Sequence, residues 1–153
     1  MYKVSLAIPI YNVSLFVERA LLSVLNQTYD NIEYLIVDDK GQDDSMDIVH
    51  RIIKDHPRGK DVRIIEHPYN IGLGATRNTA IDNAQGEYLF FMDSDDEIIP
   101  TCIEILVHKM QEHPVDFIAA SHMKKDLSGK TYPTYTYSPI LIQGDDLPVA
   151  QYR

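Results

Sequence analysis

Residues 86–100 read GEYLFFMDSDDEIIP, and the reading of this stretch decides the architecture. Tyr88–Met92 is a five-residue, mostly apolar run with the length and composition of a buried strand. It leads straight into Asp93, Asp95, Asp96 and Glu97, with only Ser94 between them. Two carboxylates about 5 Å apart repel by roughly 3 kcal/mol at an effective dielectric of 20. Solvent, helix capping or a bound cation must offset that repulsion. Upstream, residues 74–84 read as a helix, with Gly86 placed as its C′ glycine. Downstream, residues 100–112 read as a helix opening at Pro100, and VDFIAAS (115–121) as a fifth strand.

The same alternation runs through the earlier chain. Residues 3–9 (KVSLAIP), 32–37 (IEYLIV) and 62–67 (VRIIEH) read as strands. Residues 14–26 form an amphipathic helix with Ser14 as N-cap. Residues 45–56 form another, with Ile48, Val49, Ile52 and Ile53 on one face and Pro57 ending it. Strands separated by helices predict βαβ units and right-handed crossovers, hence a three-layer α/β/α domain with a mostly parallel sheet. After Lys125 the alternation stops. LSGK (127–130) looks like a hairpin turn and TYPTYTY (131–137) like an exposed strand, while residues 138–153 carry no firm signal.

Bulk properties narrow the classes of function. A chain of 153 residues, 44% hydrophobic and 24% charged, is sized for one domain with a sizeable core. A net charge of −9 with scattered basic residues argues against gripping nucleic acid, but not against a small anionic ligand held through a metal. The single cysteine, Cys102, excludes an intrachain disulfide and reads as helix filler. The N-terminal apolar run is too short for a signal peptide, and no stretch nears the roughly 20 apolar residues that cross a bilayer. A cytoplasmic protein is expected.

In open α/β sheets ligands bind beyond the carboxyl ends of the strands. Those ends carry Pro9, Tyr11 and Asn12; then Asp38 and Asp39; then His67, Tyr69 and Asn70; then Asp93, Ser94, Asp95 and Asp96. Each has a plainer reading. Acidic pairs also occur at Asp43-Asp44 and Asp145-Asp146, where they read as caps of turns or helices, and Asp96 can cap the helix after it. Asn70 and Gly72 fit a turn. Arg77, near a helix start, sits poorly with the helix dipole, which favours a ligand role. The six histidines lack metal-ligand spacing, and of these His67 and His122 lie nearest the rim. GLGAT (72–76) is no dinucleotide fingerprint, because Arg77 stands where the third glycine belongs and the run follows the third strand. A response-regulator receiver fails as well, since PIYN and EHPYN occupy the positions of its acidic pair and phosphorylated Asp.

With the strand ends laid out, the sequence resembles a family 2 glycosyltransferase of the GT-A fold. The blocks VSLAIPIYN (4–12), IEYLIVDDKGQDDS (32–45), NIGLGATRNTAIDNAQGEYLFFMDSDD (70–96) and the helix after Pro100 carry the resemblance. It implies that Pro9, Tyr11 and Asn12 shape a nucleoside pocket, that Asp39 hydrogen-bonds the base, and that Asp38 supports it. It implies that Arg77 orders the donor and that Asp93-Ser94-Asp95 is a D-x-D motif. Asp95 would then ligate Mn2+ or Mg2+, with Asp93 at the ribose or the metal's water shell. These hard cations prefer oxygen and bridge carboxylates to diphosphate. The implied reaction is inverting transfer from a nucleotide-diphosphate sugar, usually a UDP-sugar, to a saccharide or lipid-linked acceptor. The setting would be cell-surface polysaccharide synthesis, cytoplasmic or peripheral at the inner membrane face.

Two departures stand out. Lys40-Gly41 replaces the usual Gly-Ser and Ala80 a usual Gly, neither on an implied ligand contact. No residue matches the family's catalytic base. The expected organisation is therefore a nucleotide-sugar-binding domain over 1–125 and the start of an acceptor-side region over 126–153, truncated and prone to self-association. A nucleotide- and metal-binding module without turnover and a nucleotidyltransferase are the alternatives.

Overall fold

A computed structural model describes residues 1–113, 115–126 and 128–135. Asp145-Asp146 and most of the expected acceptor-side region lie outside them. Four parallel strands, β1 (Val4–Ile10), β2 (Ile32–Asp38), β3 (Val62–Glu66) and β4 (Tyr88–Phe91), form one sheet in the order β3-β2-β1-β4. Helices α1 (Val17–Leu25), α2 (Ser45–Asp55) and α3 (Leu73–Asn83) connect them, and α4 (Cys102–Glu112) follows β4. Residues 1–111 make one compact unit. The described residues from 112 onward belong to a second, whose hairpin pairs β5 (His122–Lys125) antiparallel to β6 (Thr131–Tyr135).

Strand periodicity sorts the central side chains into two cores. On one face Leu6, Ile8 and Ile10 of β1 and Tyr34 and Ile36 of β2 meet Leu21 and Val24 of α1, Val49 and Ile52 of α2, and Ile103 and Val107 of α4. On the other, Ala7, Leu35 and Val37 meet Ala80 of α3. Helices on both faces explain why β1 and β2 read as near-continuous apolar runs. Each large side chain fully buried this way contributes about 1.5–3 kcal/mol.

Buried Gln27 fixes the segment after the acidic cluster. Its Nε2 donates to the Ile99 carbonyl at 2.8 Å and its Oε1 accepts the Ile103 N–H at 3.0 Å, satisfying an orphan donor at the start of α4.

Three local expectations change. Helix α1 begins at Val17, because a turn in which the Val13 carbonyl accepts the N–H groups of Phe16 and Val17 precedes it. Ser14 does not cap; its N–H donates to Asp43 Oδ2 at 2.8 Å. Gly86 is not a C′ glycine either, since α3 ends at Asn83 and Ala84 after it is already extended. An added Cβ at Gly86 would lie 2.6 Å from the Lys3 carbonyl oxygen and 2.7 Å from the Ser5 nitrogen, so glycine serves the close approach to β1. Residues 115–121 form no strand, and Phe117 is 71% exposed. An apolar run becomes a strand only with a ladder partner, and this one has none among the described residues. The expected hairpin turn holds: Gly129 adopts φ +86° and its N–H donates to the Asp126 carbonyl at 2.9 Å.

Candidate functional site

The parallel register brings the four strand ends to one rim, and the ladder runs one residue past the strands. The Asp39 N–H donates to the Ile10 carbonyl at 3.0 Å, the His67 N–H to the Asp38 carbonyl at 2.9 Å and the Met92 N–H to the Ala7 carbonyl at 3.0 Å. Beyond these bonds opens a cleft of about 480 Å3, within the range of small-molecule sites. Pro9, Tyr11, Asp39, Asn70, Gly72, Thr76, Asp93, Ser94 and Asp95 contribute to its lining.

Asp39 is the organising group. It is 2% exposed and accepts four hydrogen bonds. Oδ1 takes His67 Nδ1 at 2.8 Å and the Ile71 N–H at 2.9 Å; Oδ2 takes Asn70 Nδ2 at 2.8 Å and the Gly72 N–H at 2.9 Å. Burial alone would push this carboxyl up. The hydrogen bonds from Ile71, His67 and Gly72 outweigh it and hold the group below the ordinary carboxylate range. Because a carboxylate only accepts, His67 Nδ1 carries a hydrogen, while Nε2 faces Thr79 Oγ1 at 2.9 Å. The loop that supplies the backbone donors is fixed by Gly72, whose φ of +88° suits glycine and whose carbonyl accepts the Thr76 N–H and hydroxyl at the start of α3.

The acidic cluster is shaped by a turn in which the Asp96 N–H donates to the Asp93 carbonyl at 3.1 Å. Asp96 does not cap α4, which begins six residues later. Asp93 Oδ1 accepts from the Arg77 guanidinium at 2.8 Å, so Arg77 meets the site through Asp93 and does not line the cleft itself. Asp95 is exposed, lines the cleft and makes no hydrogen bond or ion pair among the described residues.

Two expected contributors turn toward the chain itself. Asn12 adopts φ +51°, and its Oδ1 accepts the Gln42 N–H at 2.7 Å. Asp38 is buried and accepts from the Lys40 N–H at 2.8 Å and Lys40 Nζ at 3.1 Å. Neither lines the cleft. The Lys40 departure thus does touch an implied ligand residue. Lys40 holds φ +55°, a conformation glycine adopts freely, and its ammonium also meets Glu66 at 2.7 Å.

Sequence reasoning missed the use of His67. Its signal lay in the register, since Asp38 opposite Glu66 sets Asp39 beside His67. Among the described residues no three His, Cys, Asp or Glu side chains form a ready metal cage. No helix among them is long and apolar enough to cross a membrane.

A parallel sheet presenting Asp39, Asp93 and Asp95 at its carboxyl rim, with helices on both faces, defines an α/β domain of the GT-A class. The chain belongs to glycosyl transferase family 2, whose profile matches residues 5–147. It is 32% identical over 151 residues to an uncharacterized glycosyltransferase of Haemophilus influenzae, covering 95% of this chain and 59% of that protein. It is 37% identical over 129 residues to the Escherichia coli UDP-Glc:alpha-D-GlcNAc-diphosphoundecaprenol beta-1,3-glucosyltransferase WfaP, covering 82% of this chain and 49% of that one. Staphylococcus aureus TarS 1-349 in complex with UDP superimposes with a TM-score of 0.68 at 26% identity, over 86% of this chain and 38% of TarS. The chain therefore spans less than two thirds of the length of these relatives.

Proposed function

We propose that the chain binds a UDP-sugar with a divalent cation and serves transfer of the sugar to an acceptor hydroxyl, with inversion. One observation carries this reading: Asp39, Asp93 and Asp95, from two different strand ends, line a single cleft. Pro9 and the exposed ring of Tyr11 form the wall where the nucleoside lies, and Asp39 reads the base. Arg77 holds Asp93 and adds positive charge beside the diphosphate.

Mn2+ or Mg2+ fits the oxygen donors present. Asp95 offers a carboxylate without a hydrogen bond or ion pair among the described residues, and Asp93 a second that it shares with Arg77. Asp93 and Asp95 would hold such an ion, and as two carboxylates they would leave room for the further oxygen ligands that hard cations prefer. When bound, such an ion stabilises negative charge on the departing diphosphate. The chain's own residues bind and orient the donor; the group that deprotonates the acceptor is not assigned to any residue.

WfaP is named for a lipid-linked acceptor, which supports a saccharide or lipid-linked acceptor here and action at a membrane surface. The test is thermal unfolding with UDP, with Mn2+, and with both, on wild type and Asp95→Ala. Ligand at 100 times its dissociation constant adds about 2.7 kcal/mol. A shift that needs both components and vanishes in Asp95→Ala is expected. No shift with any nucleoside diphosphate would sink the reading.

A further inference from the structure

The hydrogen bonds at Asp39 constrain how a base can be recognised, granted the nucleotide binding proposed for this cleft. A carboxylate offers about four lone-pair sites, and all four are taken by the protein's own donors. A base whose ring N–H is to be read by Asp39 must therefore displace one of them. Three are fixed. The Ile71 and Gly72 N–H groups belong to a backbone turn locked by the Gly72–Thr76 bonds. His67 is 6% exposed and held at its other nitrogen by Thr79. The fourth, the Asn70 amide, sits on an exposed side chain at the lip of the cleft and leaves by rotation about its own side-chain bonds. Its second contact, 3.4 Å to the Asp39 carbonyl, is long and resists little.

We propose that Asn70 is a resident stand-in for the donor base. In the nucleotide-free protein its amide occupies the site on Asp39 Oδ2 that the ring N–H of a uracil-type base takes on binding. The stand-in keeps a buried carboxylate satisfied while the cleft is empty, which an unpaired Asp39 would not tolerate cheaply. It also sets a filter. A base with a ring N–H replaces the amide donor for donor, whereas cytosine, with a lone pair at that ring position, meets the carboxylate with repulsion.

Calorimetric titration of UDP and N3-methyl-UDP, with Mn2+ present, into wild type, Asn70→Ala and Asn70→Ser tests this. Removing the competing donor should tighten UDP about three- to tenfold in both variants, the worth of one modest net hydrogen bond. N3-methyl-UDP, which has no N–H to offer, should bind weakly and equally to all three proteins. In wild type the Asn70 side-chain amide resonance should shift with UDP and stay in place with the methylated analogue. Weaker or unchanged UDP binding in both folded variants overturns the inference alone, as does an equal gain for both nucleotides. Absence of UDP binding to all three proteins overturns the nucleotide reading and this inference with it.

Discussion

At the scale of single residues, Asp39 shows how a buried charge is kept. Four donors compensate its desolvation, and two of them are backbone N–H groups that no substitution other than proline removes. Asp39→Asn preserves shape but leaves one oxygen to accept where two did, and it turns an NH2 group toward existing donors. A loss of about 2–5 kcal/mol in urea denaturation is expected, each unsatisfied buried donor costing about 1–3 kcal/mol. Asp43 has a different role. It accepts from the Ser45 N–H and hydroxyl and from the Ser14 N–H, tying the start of α2 to the loop after β1. Burial pushes this carboxyl up, but those hydrogen bonds prevail and bring it down to about 2. Its folded value lies below the ordinary one, so its contribution is complete above about pH 4 and is lost as pH falls toward 2. The stability difference between wild type and Asp43→Asn, followed by denaturation across that window, should shrink as the acid limit is approached.

At the scale of elements, the contacts between segments matter more than propensity. Glycine at position 86 lets the chain entering β4 lie against β1, where a methyl group would meet backbone at 2.6–2.7 Å. Gly86→Ala should therefore cost about 1–3 kcal/mol, as overpacking does. Gly74, in the first turn of α3, has nothing within 4 Å of an added Cβ. Gly74→Ala should be neutral or stabilising by up to about 1 kcal/mol. Guanidinium titration of the pair distinguishes a steric requirement from a merely conformational one; equal effects would contradict the assignment. Ala80 illustrates the same point, since its methyl fills the small core between α3 and the sheet.

At the scale of the whole molecule, the sheet of residues 1–111 acts as a jig that holds groups distant in sequence on one rim. Asp39 and Asp93, more than fifty residues apart, line the same cleft only because β2 and β4 both pair with β1. Core substitutions should consequently change how much protein is folded rather than how the folded protein binds. Leu6→Ala, at a fully buried central position, should cost about 2–5 kcal/mol in denaturant titration. Its UDP affinity, measured well below the unfolding midpoint, should stay within about twofold of wild type. A large affinity loss in the folded variant would show that the rim is less rigid than the register implies.

The α/β class, the mostly parallel sheet and the acidic strand ends were legible in the sequence, because apolar period and punctuation are local and the strand ends are where unusual residues collect. Pro9, Tyr11, Asp39, Asp93, Ser94 and Asp95 could be marked as rim residues for that reason. Only the tertiary structure decided which rim residues face the cleft. Asn12 turns to the loop after β2, Asp38 to Lys40 in its own loop, His67 bonds Asp39 from the next strand end, and Arg77 joins through Asp93. It also decided that residues 115–121 form no strand and that Gly86 serves packing. The physical reason is common to all of these. A hydrogen-bond valence or a steric approach is filled by groups brought together in space, and spacing along a chain does not count them.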